Sequence, residues 1–181
     1  MEPKQRKPRR PVEQLAAGQS FFSKLDLEVG HFPALWHTFQ VGQLLEADLN
    51  RIGALHGLSI ADFHLLGALM IDGPEPLRAT DLALTLNVSN AALSSRIGKL
   101  ARKGLLIRSA SASDRRAALL QLTEQGAAKV QAIGLALEQG GSFVRHFRQL
   151  DEAKQAALGE IMGELHDAMD RDFLPVTRPT L

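Results

Sequence analysis

The order of apolar and polar positions predicts helices along most of the chain. "HFPALWHTFQVGQLLEADLNRIGALHG" places Leu35, Phe39, Leu45, Leu49 and Ile52 at helical spacing, with Pro33 suited to a first turn and Gly57 as the stop. A shorter helix is expected ahead of it, from Val12 to about Leu27, broken near Gly30. "SIADFHLLGALMIDG" opens with Ser59 and Asp62 three apart, the spacing of a capping box, and carries Phe63, Leu66, Leu69 and Met70 as its apolar stripe. "DGPEP" is a loop. "ATDLALTLN" is a short helix with Leu82, Ala83 and Leu86 inward, and Asn87 stands where a left-handed residue is needed. Ser89 then caps a helix from Asn90 to Lys103, with Leu93, Ile97 and Leu100 inward and Gly104 as its stop.

The period changes after Gly104. "LLIRS" and "AALLQL" are short apolar runs on either side of "ASASDRR", which predicts a β-hairpin with a long loop. Thr123 caps a helix reaching towards Leu150, interrupted at Gly140 and Gly141. Asp151 opens a last helix with Leu158, Ile161, Leu165, Met169 and Phe173 on one side. The expected division is a disordered basic arm at 1–11, N-terminal helices at 12–57, a lobe at 58–122, C-terminal helices at 123–174 and a tail at 175–181. The fold class is mainly α with a small β-hairpin.

Composition narrows the chemistry. The absence of cysteine excludes disulfides, thiolate zinc sites and thiol redox switches from this chain. No apolar run reaches the roughly 18 residues of a membrane span, and no apolar segment follows the basic N-terminus, so a cytoplasmic location is the expectation. The net charge of +1 hides an uneven distribution. Lys4, Arg6, Lys7, Arg9 and Arg10 crowd the first ten residues, and Arg96, Lys99, Arg102, Lys103, Arg108, Arg115 and Arg116 crowd residues 89–116. Positive charge gathered in two stretches of a near-neutral chain marks a candidate polyanion binder.

The second basic stretch coincides with a short helix, a three-residue turn, a basic helix and a hairpin. That order is a helix-turn-helix with a wing. A helix braced through Leu82, Leu86, Val88 and Leu93 presents its polar side outward, and the DNA major groove is just wide enough to admit it. Asn90, Ser94, Ser95 and Arg96 lie on or beside that side, while Lys99, Arg102 and Lys103 are placed to reach phosphates. At the hairpin tip, Arg115 and Arg116 suit a narrow minor groove, and Asp114 is expected to hold the tip in shape.

From about Ser59 to Val130 the chain resembles the MarR-type winged-helix transcriptional regulators. The matching stretches are "SIADFHLLGAL", "TDLALTLNVSNAALSSRIGKLARKGLLIR" and "DRRAALLQLTEQGAAKV". The resemblance implies a winged helix-turn-helix lobe with N- and C-terminal dimerisation helices, and a homodimer on a pseudo-palindromic double-stranded DNA operator. It also implies control by a small-molecule effector, often an aromatic acid, and a repressor more than an activator. The wing's Asp-x-Arg pattern falls on Asp114 and Arg116. Two positions depart from the family pattern: Ser95 stands where a basic residue is frequent, and Arg96 where an apolar one is. Gly98, in the same helix, costs about 1 kcal/mol relative to alanine.

Leu44, Leu45 and Leu49, with Leu158, Ile161, Leu165 and Phe173, are expected to supply the dimer core. Trp36, His37 and His64 are candidate effector contacts, and Arg51 is a candidate partner for a carboxylate. No metal site is expected: no two histidines are spaced i, i+4, and His146 and His166 meet only if packing joins them. No phosphate-binding loop, dinucleotide fingerprint or nucleophile elbow is present, so neither enzyme nor cofactor is expected. The alternative to a DNA-binding regulator is a winged-helix protein–protein adaptor without specific DNA binding.

Overall fold

The structure, a computed structural model, describes residues 10–25, 27–110 and 118–173. In chain order these form α1 (Pro11–Ser23), α2 (Phe32–Leu55), α3 (Ile60–Ile71), β1 (Leu77–Arg78), α4 (Ala79–Thr85) and α5 (Asn90–Arg102). Then follow β2 (Leu106–Ala110), β3 (Ala118–Leu122), α6 (Glu124–Gly140), α7 (Ser142–Phe147) and α8 (Glu152–Phe173). The chain divides into two compact units, 1–47 and 48–181, and the division falls inside α2 rather than at residue 57.

In the first unit α1 begins at Pro11, inside the stretch expected as an arm, and stops at Ser23, short of Leu27. An aromatic ladder joins α1 to the start of α2: Phe22 lies 5.6 Å from Phe32 between ring centroids, and Phe32 stacks on Trp36 at 6.1 Å. Such ring pairs add about 0.5–1.5 kcal/mol beyond the area they bury.

The second unit is built around α3. Leu65, Leu66 and Leu69 on α3 meet Leu82 of α4, Leu93, Ile97 and Leu100 of α5, and Val130 and Ile133 of α6 in one core. Leu65 is fully buried although the expected stripe omitted it, and Met70, assigned to that stripe, is exposed. Fully burying a leucine of this kind contributes about 1.5–3 kcal/mol. Leu106 and Leu120 close the core from an antiparallel sheet of order β1-β3-β2. The hairpin register pairs Leu106 with Leu122 and Ala110 with Ala118, and the two-residue β1 pairs with β3 on its other side. β1 went unread because two residues carry no period.

Three helix ends use one device. After α2, α4 and α5 the chain passes through a left-handed residue, respectively Gly57 at φ 76°, Asn87 at φ 49° and Gly104 at φ 70°. At each, a 6→1 backbone bond closes the turn: Leu58 N–H to Gly53 O, Val88 N–H to Ala83 O, and Leu105 N–H to Leu100 O. The residue after the turn packs inward in two cases, Leu58 and Leu105, but Val88 is exposed. Val88 therefore does not brace the helix pair as its sequence position suggested.

At the start of α6 the Thr123 hydroxyl accepts from Gly126 N–H at 3.0 Å and donates to Gly104 O at 2.8 Å, tying α6 to the end of α5. A Cβ at Gly126 would collide with the Leu105 carbonyl, a backbone atom that cannot move aside. Gly126→Ala is accordingly expected to destabilise the protein by about 1–3 kcal/mol, read as a lower urea midpoint at unchanged slope.

Candidate nucleic-acid interface

The pair α4–α5 forms as expected. Ser89 accepts from Ala92 N–H at 3.3 Å and so starts α5 directly after the left-handed Asn87. Leu93, Ile97 and Leu100 are buried, which at about 100° per residue sets the opposite face on Ala91, Ser95, Gly98 and Arg102. Ser94 borders that face on one side and Lys99 on the other, whereas Asn90, seven residues before buried Ile97, stands at the start of the helix on its inward side. Asn90, Ser94, Ser95, Lys99, Arg102 and Lys103 are exposed. The helix thus offers a band of short side chains with basic residues around its C-terminal half.

Arg96 lies elsewhere. It sits near the core edge of α5, half-buried, with its guanidinium 4.0 Å from the Asp62 carboxylate. Lys99 donates to the same carboxylate at 2.7 Å. Asp62 is only 1% exposed and also accepts from Ser59 N–H at 3.2 Å, completing the capping box read from the sequence. Burial alone pushes its carboxyl up, but the bonds from Lys99 and Ser59 outweigh burial and hold it below its ordinary value of 3.8. Arginine at a position where the family pattern has an apolar residue is therefore accounted for by a buried acid on the facing helix.

Two of the three expected phosphate contacts are engaged inside the lobe. Lys99 is held by Asp62, and Lys103 donates to Gly57 O at 2.7 Å. Lys129 reaches His56 O at 3.2 Å, so two lysines satisfy carbonyls at the C-terminal end of α2. Arg102 makes no hydrogen bond or ion pair with any described residue. Asp114, Arg115 and Arg116 fall in the 111–117 connection and lie outside the described residues.

The candidate effector residues are not all equivalent. Trp36 and His37 belong to the first unit, where Trp36 stacks on Phe32 and His37 is exposed. Arg51 pairs with Asp48 at 2.7 Å within the same helix. Asp48 also accepts from Ser142 N–H at 2.5 Å, fixing the start of α7; the bond from Arg51, then that from Ser142, lowers its carboxyl. His64 lines a cavity of about 520 Å³ with Phe63, Met70, Ile71, Leu86 and Val130. The sequence signal for this cavity was the excess of apolar residues in "IADFHLLGALMI": one helix face cannot hold them all. Among the described residues no group of three histidines, aspartates or glutamates is placed to hold a metal.

With this geometry in view, the comparisons with known proteins are specific. Residues 56–117 match the sequence model of the MarR family. The transcriptional regulator PecS of Dickeya dadantii is 28% identical over 109 residues, covering 60% of this chain and 66% of its own length, just under two thirds. Sco3205 of Streptomyces coelicolor, a MarR family regulator solved in complex with DNA, superposes with a TM-score of 0.67 at 24% identity, over 83% of this chain and 96% of its own. A mutant MarR from E. coli in complex with operator DNA gives 0.65 at 22% identity, over 74% and 93%. At such identities the superpositions establish the winged-helix fold.

The Asp62 cluster generates a stability prediction. A carboxyl held below its ordinary value stabilises the fold fully above that value, and the contribution is lost as pH falls through the native one. Asp62→Asn is expected to cost about 2 kcal/mol near neutral pH. The gap between variant and parent should hold down to about pH 4 and close only as pH falls further, through the native value, which urea melts from pH 7 down to pH 3 will follow.

Proposed function

We propose that this chain is a cytoplasmic, homodimeric transcriptional regulator that binds a pseudo-palindromic DNA operator and acts as a repressor released by a small aromatic acid. The observation that carries the DNA reading is the outward face of α5. It is polar, lined with short side chains, flanked by basic residues and held on a MarR-family winged helix. The two structural relatives solved in complex with DNA support the same reading. Arg115 and Arg116, in the connection between β2 and β3, are assigned to the minor groove, with Asp114 as their support. No single helix among the described residues is long and apolar enough to cross a membrane.

The dimer rests on α8. Every described residue of this helix except Gln155 is exposed, yet Leu158, Ile161, Leu165 and Met169 recur along one side. Ile161 is 55% exposed and Met169 57%. Helices in proteins owe most of their stability to packing an apolar face, and this one has no cover within the described chain. A second copy supplies it, and Leu44, Leu45 and Leu49 of α2 are assigned to dimer contacts as well. The side chain of Phe173, expected in this stripe, lies outside the described part.

The effector reading rests on the cavity beside His64. Its volume suits a small ligand, its walls are largely apolar, and Phe63 offers an aromatic face. Because α3 and α4 both wall it, an occupant that favours one arrangement of α3 against α4 alters the seating of α5.

Two results are expected. Fluorescence anisotropy on duplex DNA flanking the gene should show tight binding that survives non-specific competitor and weakens steeply with salt, and Arg116→Glu should weaken it at least tenfold. An adaptor would be indifferent to that charge reversal. Replacing Ile161 and Leu165 together by aspartate should convert a dimer to a monomer in sedimentation-velocity runs; an unchanged dimer would place the interface elsewhere.

A further inference from the structure

The basic residues of α5 are not interchangeable once their partners are drawn. Arg96 and Lys99 face Asp62, and Lys103 holds the Gly57 carbonyl. Arg102 has no hydrogen-bonding or ionic partner among the described residues. Side chains on a helix lean towards its N-terminus, and residues four apart stand nearly above one another, about 40° apart. The residue one turn before Arg102 is Gly98. A Cβ built there would lie 3.6 Å from the Arg102 guanidinium, with no other atom outside the helix backbone within 4 Å. Arg102 therefore runs back along the outward face of α5 through the lane that glycine leaves open, towards Ser95 and Ser94.

We infer that Arg102, laid over Gly98, is the specificity-determining arginine of α5 and reads a base edge, while Arg96, Lys99 and Lys103 are held by partners inside the lobe. The inference rests on the DNA-binding reading above. Its chemistry is that of a planar five-donor fork, which matches the two acceptors of guanine in the major groove; a lysine at the same place supplies charge without that match. Gly98, whose conformational cost had no compensation in the sequence, is then retained for the space it leaves. Ser94 and Ser95, in the preceding turn of the helix, are exposed and short.

The test begins with selection of bound duplexes from a random 30-base-pair pool by the full chain. The enriched duplex and a scrambled one are then titrated across a salt series with Arg102→Lys, Arg102→Ala and Gly98→Leu. Arg102→Lys should lose about tenfold or more on the enriched duplex and nothing on the scrambled one, with an unchanged salt slope. Gly98→Leu, which fills the lane, should reproduce that loss if circular dichroism shows it folded; if it does not fold, Arg102→Lys decides alone. The inference is overturned if Arg102→Lys binds like the parent while Arg102→Ala weakens both duplexes equally and lowers the salt slope by about 0.9, the signature of a phosphate contact. Enrichment of no sequence by the parent chain would overturn the regulator reading itself, and this inference with it.

Discussion

A carboxylate buried at the first turn of α3 organises the lobe. Asp62 closes the N-terminus of its own helix through Ser59 and receives Lys99 from α5, with Arg96 at the edge of ion-pair range. A buried acid without such partners would be expelled or neutralised, because desolvation of a lone charge is far more costly than a missing contact. The pairing therefore constrains two helices at once. It fixes how far α5 rotates about its axis, and so which residues of α5 face outward.

The leucine core sets the distances within which that rotation matters. Leu65, Leu66 and Leu69 give α3 a broad apolar contact, and α4, α5, α6 and the small sheet pack around it. Three helices leaving through left-handed turns, at Gly57, Asn87 and Gly104, let short segments change direction without strain. Gly126 then lets α6 pass against the Leu105 carbonyl. These are local solutions to one requirement: a small lobe must reverse its chain often while leaving few backbone groups unpaired.

The interface inherits its chemistry from this packing. Four basic residues on and just after α5 looked alike as a cluster, but their neighbours separate them into an inner group and an outward one. Lys103 and Lys129 on the carbonyls of α2 show the same principle, since each cation answers a partial charge exposed by helix termination. An exposed lysine or arginine on this lobe is best understood by asking first which carbonyl or carboxylate is within its reach.

What could be read directly was whatever depends on near neighbours in the chain. The helix spans from α2 onward, the stops at Gly57 and Gly104, the left-handed Asn87 and the caps at Ser59, Ser89 and Thr123 follow from patterns a few residues long and appear in the structure, whereas α1 ends at Ser23, short of the expected Leu27. The inward set Leu93, Ile97 and Leu100 was legible for the same reason. Contacts between distant segments were not. Asp62 meets Lys99 across 37 positions and Lys103 meets Gly57 across 46, and no period in a sequence encodes such a meeting. Tertiary structure alone decided that Asp48 receives Ser142, that Val88 stays out of the buried core, and that Arg102 is the basic residue of α5 without a partner among the described residues. Charge and apolarity are properties of a residue and can be read one letter at a time, whereas a partner is a property of the space around it and exists only after the chain has folded.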